Sequence, residues 1–381
     1  MGARKVRILA VWGTRPEAIK LAPVLAELKA RPELRLATCV TGQHRGMLDQ
    51  ALRAFRIRPD YDLDVMRPGQ TPQQVLSRVL EGVARVLTEV RPRLVLVQGD
   101  TTTTLAASLA ASYAGIPVGH VEAGLRTHDL GRPFPEELDR VVTDRLASLH
   151  FAPTGGAKWN LLAEGIAPDG IFVTGNTVVD AVRLMGRGPR KPARRGLAAL
   201  FSRGPVILAT LHRRESFGPA MAAMARALRV IVRRSQVRVL LPVHPNPAVR
   251  KALEPLSGER RILLTSPLAY GDLLYAMQRC RLILSDSGGL QEEAASFQKP
   301  VLILRTVTER PEGVRLGFAR LVGTDEAGIA SKVCGLLRRP RELDAMARGP
   351  NPFGDGHAAP RIGRAILHRF GLGPRPRDWA T

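Results

Sequence analysis

The 381-residue sequence is poor in cysteine and aromatic residues, and it has no long hydrophobic run. Its three cysteines, Cys39, Cys280 and Cys334, stand far apart without the close pairs of zinc or redox motifs, so we interpret them as buried thiols. No stretch approaches the roughly 20 apolar residues that span a bilayer, and the apolar run at residues 6–12 is too short for a secretory core. We therefore expect no membrane partner and a cytoplasmic location.

Acidic residues are few beside basic ones: 34 Asp and Glu stand against 57 Lys and Arg, which gives a net charge of +23. Such a balance invites a nucleic-acid role. However, the basic residues are scattered along the chain, and the aromatic residues, 4% of the total, do not interleave with them as a stacking platform for bases would require. Because an anionic substrate would also suit this charge, we predict no nucleic-acid partner.

Short apolar runs alternate with helical patterns, which is typical of parallel sheets built from βαβ units. Because the chain is longer than one core usually serves, two domains are expected. The predicted strands cover residues 6–11, 36–40, 94–97, 117–121, 206–211, 237–241, 282–284 and 301–304. One α/β domain is predicted over residues 1–170, with a closing C-terminal helix in residues 361–381, and a second domain over residues 171–360.

Two stretches carry clear local signals. Thr71-Pro72-Gln73-Gln74 supplies an N-cap, a first-turn proline and a capping glutamine, and apolar residues then mark one helix face until Arg91-Pro92. Residues 186–205 are rich in Gly, Pro, Arg and Ala without a sustained apolar period, so we expect an exposed connection near the domain junction.

Unusual polar residues follow the predicted strands, where open parallel sheets bind their ligands. Asp100 and Glu122 end two strands of the first domain, and Glu136 lies in a polar loop. We interpret these three as acid/base carboxylates, because burial close together raises at least one pKa towards neutrality. Two alternatives stay open: Asp100 as the N-cap of the Thr-rich helix that follows, and Glu136 as a carboxylate that only begins a helix.

In the second domain, Ser287-Gly288-Gly289 opens a predicted helix over residues 290–296, so bare amides and the positive helix end suit a diphosphate. The cationic residues that could reach the same phosphates are Arg15, Lys20 and Arg310. His212, at a strand end, is a candidate proton shuttle or phosphate donor. The alternatives are a tight turn for the glycines and a structural role for the histidine.

Taken together, the motifs resemble the non-hydrolysing UDP-N-acetylglucosamine 2-epimerase family. They occur in family order as GTRPEAIKLAP, TGQHRGMLDQ, GDTTTTLA, HVEAGLRT, PEELDR, GNTVVDA, HRRESFG, PVHPNP, DSGGLQEEA and TERPEGV. The resemblance implies two Rossmann-like domains of the glycosyltransferase-B type that face a substrate cleft, with no metal or redox cofactor. It also implies an isomerase of polysaccharide biosynthesis, which interconverts UDP-GlcNAc and UDP-ManNAc by eliminating UDP to 2-acetamidoglucal and adding it back.

The resemblance assigns roles to the site residues. Asp100, Glu122 and Glu136 take the acid/base roles with His212 assisting: one side chain removes the proton from carbon 2, and another delivers one from the other side. The implied substrate contacts are Arg15, Lys20, Leu268, Leu273, Ser287, Gly288, Gly289, Glu293 and Arg310, with Glu293 at the ribose hydroxyls and the two leucines at the uracil. A second UDP-GlcNAc acting as an activator would use Gln43 and His44, and a homodimer is implied.

Four other functions share part of this pattern. Hydrolysing epimerases share the fold, but their first loop typically reads GTRADY, whereas this chain has Arg15-Pro16-Glu17. A sister epimerase that acts on a 2,3-diacetamido uronate sugar stays open, because it would share the nucleotide motifs. A retaining glycosyltransferase needs no set of three inward carboxylates, and a sugar-nucleotide sensor without turnover needs none of them.

Overall fold

The computed structural model describes residues 5–42, 45–67, 69–186, 188–189, 191–213 and 216–380. The chain divides into two compact units, each with its own sheet. Unit 1 comprises the described residues up to Leu184 and again from Phe353 onward, and unit 2 comprises Met185–Pro352.

Unit 1 is built on a parallel sheet covered by helices. Its strands are β1 (Val6–Trp12), β2 (Leu34–Val40), β3 (Tyr61–Asp62), β4 (Leu94–Gln98), β5 (Val118–Val121), β6 (Leu149–Ala152) and β7 (Ile171–Val173). Its helices are α1 (Arg15–Lys29), α2 (Arg45–Ala54), α3 (Pro72–Val90), α4 (Thr102–Tyr113), α5 (Glu136–Leu146), α6 (Gly155–Ala163), α7 (Thr177–Leu184) and α16 (Ala358–Arg369), with a 3₁₀ turn at Pro168–Gly170. The strands follow the order β3-β2-β1-β4-β5-β6-β7.

The strand order of unit 1 reverses between β1 and β4, which makes this pair the topological switch point of the sheet. Strand β4 is buried along its whole length, and β1 nearly so, as strands covered by helices on both faces must be. Loops that leave the carboxyl ends of such a pair diverge and open a crevice for ligands. The switch point therefore fixes where the functional residues of unit 1 should lie.

Unit 2 repeats this architecture. Its strands are β8 (Val206–Thr210), β9 (Arg238–Pro242), β10 (Ile262–Thr265), β11 (Leu282–Ser285), β12 (Val301–Ile303) and β13 (Ala319–Leu321), in the order β10-β9-β8-β11-β12-β13. Its helices are α8 (Leu197–Ser202), α9 (Pro219–Arg234), α10 (Pro247–Leu253), α11 (Tyr270–Arg279), α12 (Gly288–Ser296), α13 (Pro311–Arg315), α14 (Glu326–Leu337) and α15 (Pro340–Met346), with a 3₁₀ turn at Glu254–Leu256. Here the order reverses between β8 and β11, and the predicted class of two Rossmann-like parallel units is confirmed.

Local signals in the sequence predicted some boundaries better than others. Helix α3 begins after Thr71, whose side chain accepts from the Gln74 amide at 3.3 Å, and ends at Val90, as its capping box predicted. The predicted domain boundary at residue 170 instead lies inside unit 1, because β7 pairs with β6 and extends the sheet. The predicted connection at residues 186–205 contains the short helix α8.

The C-terminal segment of the chain covers the exposed edge of β7. The Val173 amide donates to Asp378 Oδ1 at 2.9 Å, and the Trp379 amide donates to Val173 O at 2.7 Å. The Arg375 guanidinium lies over the Phe172 ring, 4.2 Å from its centroid. The segment thus takes the position of a further strand and satisfies edge groups that would otherwise pair with another chain.

The three cysteines are buried and unbridged, as predicted. Burial raises the pKa of the Cys39 and Cys280 thiols to about 12, so both stay protonated at neutral pH. Of the helices that the structure describes, none combines the length and the apolar character needed to cross a membrane.

Candidate active site

The loops that follow β1, β4 and β5 meet at one edge of the unit 1 sheet. Strand β4 lies between the other two and pairs with both, so the residues beyond their carboxyl ends are neighbours. Asp100 and Glu122 lie on the second and third of these loops, and the Gly99 amide donates to Val121 O at 3.0 Å between them. The structure therefore places two of the predicted carboxylates on adjacent loops at the switch point.

Glu122 is buried and held by cationic and amide donors. Its Oε2 accepts a short hydrogen bond from the Lys20 ammonium and another from Asn176 Nδ2 at 2.9 Å. Its backbone lies in the left-handed region at φ 71°, which a non-glycine residue adopts only where its surroundings impose it. A buried ammonium that is hydrogen-bonded to a carboxylate favours the ionised form of that carboxylate. Lys20, expected at the diphosphate, thus contacts a carboxylate of its own unit.

The loop after β1 is fixed by Glu17, a residue that the sequence motifs did not single out. Its Oε2 accepts from the amides of Gly13 and Thr14 at 3.0 and 2.6 Å, and its Oε1 accepts from Thr101 Oγ1 at 2.7 Å. Burial raises the pKa of Glu17, although these hydrogen bonds lower it. Arg15 is the first residue of α1 and half-buried, so Glu17 orients the turn that carries it and ties that turn to the residue after Asp100.

Asp100 is half-buried and paired with Arg140 of α5. Arg140 donates a short hydrogen bond to Asp100 Oδ2, and its Nη1 donates to Glu137 Oε2 at 2.7 Å. The N-cap of α4 is Thr101, whose hydroxyl accepts from the Thr104 amide, so the alternative of Asp100 as that cap is wrong. Asp100 instead presents its carboxylate towards the first turns of α5.

The first turns of α5 carry two further carboxylates on one face, Glu136 and Asp139. Glu136 is the first residue of the helix and half-buried, whereas Asp139 is 3% exposed. Burial, followed by the negative charges of Asp100 and Glu136, raises the pKa of Asp139 to about 7, although a hydrogen bond from Thr102 opposes the change. With a pKa of about 7, Asp139 is partly protonated near neutral pH.

In unit 2, Ser287 is the N-cap of α12, and the helix begins at Gly288, two residues before the predicted start at residue 290. A side chain at Gly288 would overlap the Arg310 guanidinium, with its Cβ 2.7 Å from Arg310 Cζ and 2.8 Å from Glu309 Oε1. A Cβ at Gly289 would have none of the described atoms outside its own helix turn within 4 Å. The absence of a side chain at Gly288 is therefore what lets Arg310 lie against the helix N-terminus.

Two carboxylates orient the Arg310 guanidinium. Its Nε donates to Glu292 Oε1 and its Nη1 to Glu309 Oε1, both at 2.5 Å, and all three side chains are buried. Arg305 donates to Glu309 Oε2 at 2.7 Å, and Arg213 lies 3.5 Å from Glu309 Oε1. Three guanidinium groups thus lie with Glu292 and Glu309 beside the positive end of α12, where an anionic ligand could be bound.

His212 follows β8 and is oriented by the buried Asp286. Its Nδ1 lies 3.1 Å from Asp286 Oδ1, while Asp286 Oδ2 accepts from the amides of His212 and Arg213 at 2.8 and 2.9 Å. Burial alone would raise the pKa of Asp286, but the charge and hydrogen bonds of His212 hold it below its usual value. The His212 ring also stacks on His244, with centroids 6.1 Å apart. Because Nδ1 faces the carboxylate, Nε2 is the nitrogen available to a ligand.

The remaining predicted residues of unit 2 are buried. Leu268 lies between β10 and α11, Leu273 is in the first turn of α11, and Glu293 follows Glu292 in α12. Gln43 and His44, the predicted activator site, lie outside the residues that the structure describes. Within the described ranges, no three or more His, Cys, Asp or Glu side chains are grouped as metal ligands would be.

Several supporting residues were missed by sequence reasoning, and most lie inside motifs that it quoted. They are Glu17, Glu137, Asp139, Arg140, Asp286, Glu292, Arg305 and Glu309. Glu17 had a usable signal, because Thr14 and Glu17 have the spacing of a capping box. The others are charged residues on or beside helices, where the sequence alone does not separate a buried ion pair from a solvated one.

A family model described as UDP-N-acetylglucosamine 2-epimerase matches residues 26–367 of the chain. The UDP-N-acetylglucosamine 2-epimerase of Escherichia coli (strain K12) is 48% identical over 370 residues, which cover 95% of this chain and 98% of that protein. The crystal structure of UDP-GlcNAc 2-epimerase from Neisseria meningitidis bound to UDP-GlcNAc is similar with a TM-score of 0.89 and 41% identity, covering 95% of this chain and 100% of that one.

A solved archaeal structure is also similar. The Methanocaldococcus jannaschii UDP-GlcNAc 2-epimerase in complex with UDP-GlcNAc and UDP has a TM-score of 0.83 and 33% identity, and the match covers 95% of this chain and 100% of that one. Sequence and fold therefore agree with these relatives along nearly the whole chain.

Proposed function

Because the chain belongs to the UDP-N-acetylglucosamine 2-epimerase family, we propose that it interconverts UDP-GlcNAc and UDP-ManNAc without hydrolysing them. One observation carries the proposal: in unit 1 the Glu122 carboxylate contacts the Lys20 ammonium, on the loop next to a group of carboxylates in which burial raises the pKa of Asp139 to about 7. Inversion of a carbon–hydrogen centre needs both a proton acceptor and a proton donor.

The proposed reaction is an elimination followed by an addition. A base takes the proton from carbon 2, the bond between carbon 1 and the diphosphate oxygen breaks, and a double bond forms between carbons 1 and 2, which gives 2-acetamidoglucal and UDP. In the second step, an acid delivers a proton to the opposite face of carbon 2, and the diphosphate oxygen bonds again to carbon 1. Protons and electrons balance without a redox step.

The carboxylates of unit 1 divide these roles. Glu122 is the proposed base, because the Lys20 ammonium keeps its carboxylate ionised and ready to accept a proton. Asp100 and Glu136 are the proposed groups that deliver the proton, with Asp139 as the buried neighbour that keeps a proton in their group. Microscopic reversibility requires the two groups to exchange these roles in the reverse reaction.

The residues of unit 2 are proposed to bind UDP. Arg310 and His212 would bind the diphosphate with the amides at the N-terminus of α12, and the same contacts stabilise the negative charge that UDP gains on leaving. Glu293 is proposed to accept from the ribose hydroxyls. Backbone groups near Leu268 and Leu273 are proposed to frame the uracil.

Other family properties complete the proposal. A homodimer and a cytoplasmic location are proposed by family resemblance, and light scattering of the purified protein tests the first by its mass relative to the 41.4 kDa chain. Activation by a second UDP-GlcNAc through Gln43 and His44 stays a prediction. Sigmoidal dependence of rate on UDP-GlcNAc concentration, abolished by Gln43→Ala, would support it.

Isotope incorporation tests the reaction directly. Purified protein in deuterated water should convert UDP-GlcNAc into a mixture with UDP-ManNAc, and NMR should show deuterium at carbon 2 of both sugars. Release of free ManNAc would instead establish the hydrolysing reaction. Turnover only of the 2,3-diacetamido uronate sugar nucleotide would identify the sister epimerase, and turnover of neither substrate would refute the proposal.

A further inference from the structure

His120 is a fully buried histidine in the middle of the unit 1 sheet, two residues before Glu122. It lies on β5, opposite Val97 of β4 and His150 of β6, a position that most parallel sheets fill with an apolar side chain. Its side chain and that of Asp144 in α5 are both 0% exposed. Burying two polar groups this deeply is unfavourable unless each has hydrogen-bond partners within the protein.

Both ring nitrogens of His120 face acceptor oxygens. Nδ1 lies 2.6 Å from Asp144 Oδ1, and Nε2 lies 2.7 Å from the carbonyl oxygen of Gly99. A backbone carbonyl only accepts, so Nε2 must carry a proton. Nδ1 faces Asp144, so the ring bridges the Gly99 carbonyl and the Asp144 carboxylate.

The Asp144 carboxylate also pairs with the Arg126 guanidinium. Arg126 Nη2 lies 2.8 Å from Asp144 Oδ2, and Arg126 in turn pairs with Glu164 at 2.6 Å. Burial alone would raise the pKa of Asp144, but the charges of His120 and Arg126 hold it at about 2. Asp144 is thus held from both sides, by His120 at Oδ1 and by Arg126 at Oδ2, which satisfies a carboxylate that has no contact with water.

The network ends on the two loops that carry the proposed catalytic carboxylates. Gly99, which accepts from His120, immediately precedes Asp100. Asp144 Oδ2 accepts from the Gly124 amide at 3.0 Å, and Gly124 follows Glu122 by two residues. The path from Gly99 through His120 and Asp144 to Gly124 therefore spans both loops with three hydrogen bonds.

Both loops are held in backbone conformations that need such support. Gly99, Glu122 and Gly124 have φ of 78°, 71° and 86°, in the left-handed region. At Glu122, a residue other than glycine, this conformation is unfavourable and persists only where the surroundings determine it. A side chain at Gly124 would lie 2.9 Å from Leu161 Cγ, so this loop is also confined from its other side.

We propose that His120 is a positioning residue, which fixes the loops of Asp100 and Glu122 relative to each other by donating to Gly99 while Asp144 holds Gly124. The proposal rests on the proposed function in one respect, that these two carboxylates act on the same substrate carbon. Its structural half, the clamp itself, does not depend on any activity. Loss of the clamp should slow chemistry far more than it weakens substrate binding, because nucleotide contacts are assigned to unit 2.

Two His120 variants and one matched control test the clamp. His120→Asn places an amide donor near the Nδ1 position and loses the bond to Gly99, whereas His120→Gln places one near Nε2 and can keep it. The control is His150→Asn: His150 is also buried, lies opposite His120 on β6, and donates from Nε2 to the backbone oxygen of Asp144 at 2.8 Å, a hydrogen bond to neither of the two loops. All variants are first compared with wild type by urea unfolding.

The expected result is a fall in kcat of about 100-fold for His120→Asn, with KM for UDP-GlcNAc and Kd for UDP within about threefold of wild type. His120→Gln should lose less, and His150→Asn should keep the wild-type kcat while losing stability. Folded His120 variants with kcat within about twofold of wild type would overturn the proposal. So would an equal loss of kcat in the His150 control, because burial alone would then explain the effect.

Hydrogen exchange separates this proposal from the proposed function. Amides of residues 99–101 and 122–124 should exchange faster in His120→Asn than in wild type, and should be unchanged in His150→Asn. If wild type fails to convert UDP-GlcNAc, the proposed function fails, yet faster exchange still supports the clamp. Unchanged exchange in both His120 variants would refute the clamp, whatever the activity. If His120→Asn does not fold, His120→Gln tests the other half of the clamp, because it can keep the bond to Gly99 and loses the bond to Asp144: faster exchange of the amides of residues 122–124 would support the clamp, and unchanged exchange there would refute it.

Discussion

Replacing Asp139 with Asn should stabilise unit 1 at alkaline pH. Asp139 is 3% exposed, and its neighbours Asp100 and Glu136 are also negative, so its ionised form is unfavourable in the folded chain. Asn has the shape of a protonated Asp and still accepts from Thr102, but it cannot ionise. The variant therefore behaves as a chain whose residue 139 is permanently protonated.

The magnitude follows from the pKa of Asp139, which is about 7 in the folded chain against an ordinary value of 3.8 for a solvated aspartate. Between these two values the folded chain keeps a proton that the unfolded chain has released, so the stability of wild type falls as pH rises through this window. Roughly three pKa units at 1.36 kcal/mol each give about 4 kcal/mol in total, of which about 3 kcal/mol should be lost between pH 5 and pH 8. Asp139→Asn should lack this loss.

Tryptophan fluorescence can follow unit 1 alone. The three tryptophans, Trp12, Trp159 and Trp379, all belong to that unit, so unfolding of unit 2 does not contribute to the signal. Urea unfolding gives the free energy of unfolding of each protein at pH 5 and at pH 8. The value for Asp139→Asn minus that for wild type should be about 3 kcal/mol greater at pH 8 than at pH 5.

The control for this experiment is Asp129→Asn. Asp129 lies on the exposed loop before α5, so its replacement removes one carboxylate and leaves the buried carboxylates of α5 in place. If the free energies of unfolding of Asp139→Asn and wild type changed equally between pH 5 and pH 8, the pKa of Asp139 would not be raised in the folded chain. The proposal that its carboxylate group supplies a proton would then be refuted.

Two further predictions concern the proposed chemistry and the proposed UDP site. Asp100→Asn should lower kcat by roughly 10³-fold and leave the Kd for UDP unchanged by calorimetry, whereas Asp129→Asn should keep both; a normally active Asp100→Asn would remove its assigned role. Gly288→Ala should weaken UDP binding about tenfold, or about 1.4 kcal/mol, because its Cβ displaces Arg310, and Gly289→Ala should weaken it less; equal losses would contradict the role given to Arg310.

The sequence predicted the long buried strands well and the short ones poorly. Strands β1 and β4 are apolar runs that only a covered parallel sheet accommodates, and helix α3 has a capping signal at its start. Strands β3 and β7 have two and three residues, and so short a pattern does not separate them from loops. The missed β7 also explains the displaced domain boundary, because its pairing with β6 is a long-range contact.

The sequence indicated where the candidate site lies, but not which charged side chains pair with each other there. Parallel strands deliver their following residues to one edge, so Asp100 and Glu122 could be found from chain position alone. Which cation pairs with which carboxylate depends on helix packing: Lys20 and Glu122 are 102 positions apart, and Asp100 and Arg140 are 40 positions apart. For this reason the sequence did not reveal that Lys20 lies against Glu122, and its contact with the diphosphate stays a prediction.

The uneven distribution of charge explains how one site can hold a base and an acid at the same pH. Lys20 stabilises the charge of Glu122, and Arg140 divides its charge between Asp100 and Glu137. Glu136 and Asp139 add two carboxylates beside Arg140, so a proton there relieves repulsion that the Arg140 guanidinium does not cancel. An additional cation placed at this group would release the proton and leave two bases. In the proposed mechanism, inversion at carbon 2 depends on the carboxylates of α5 sharing a proton while Glu122 keeps its ammonium partner.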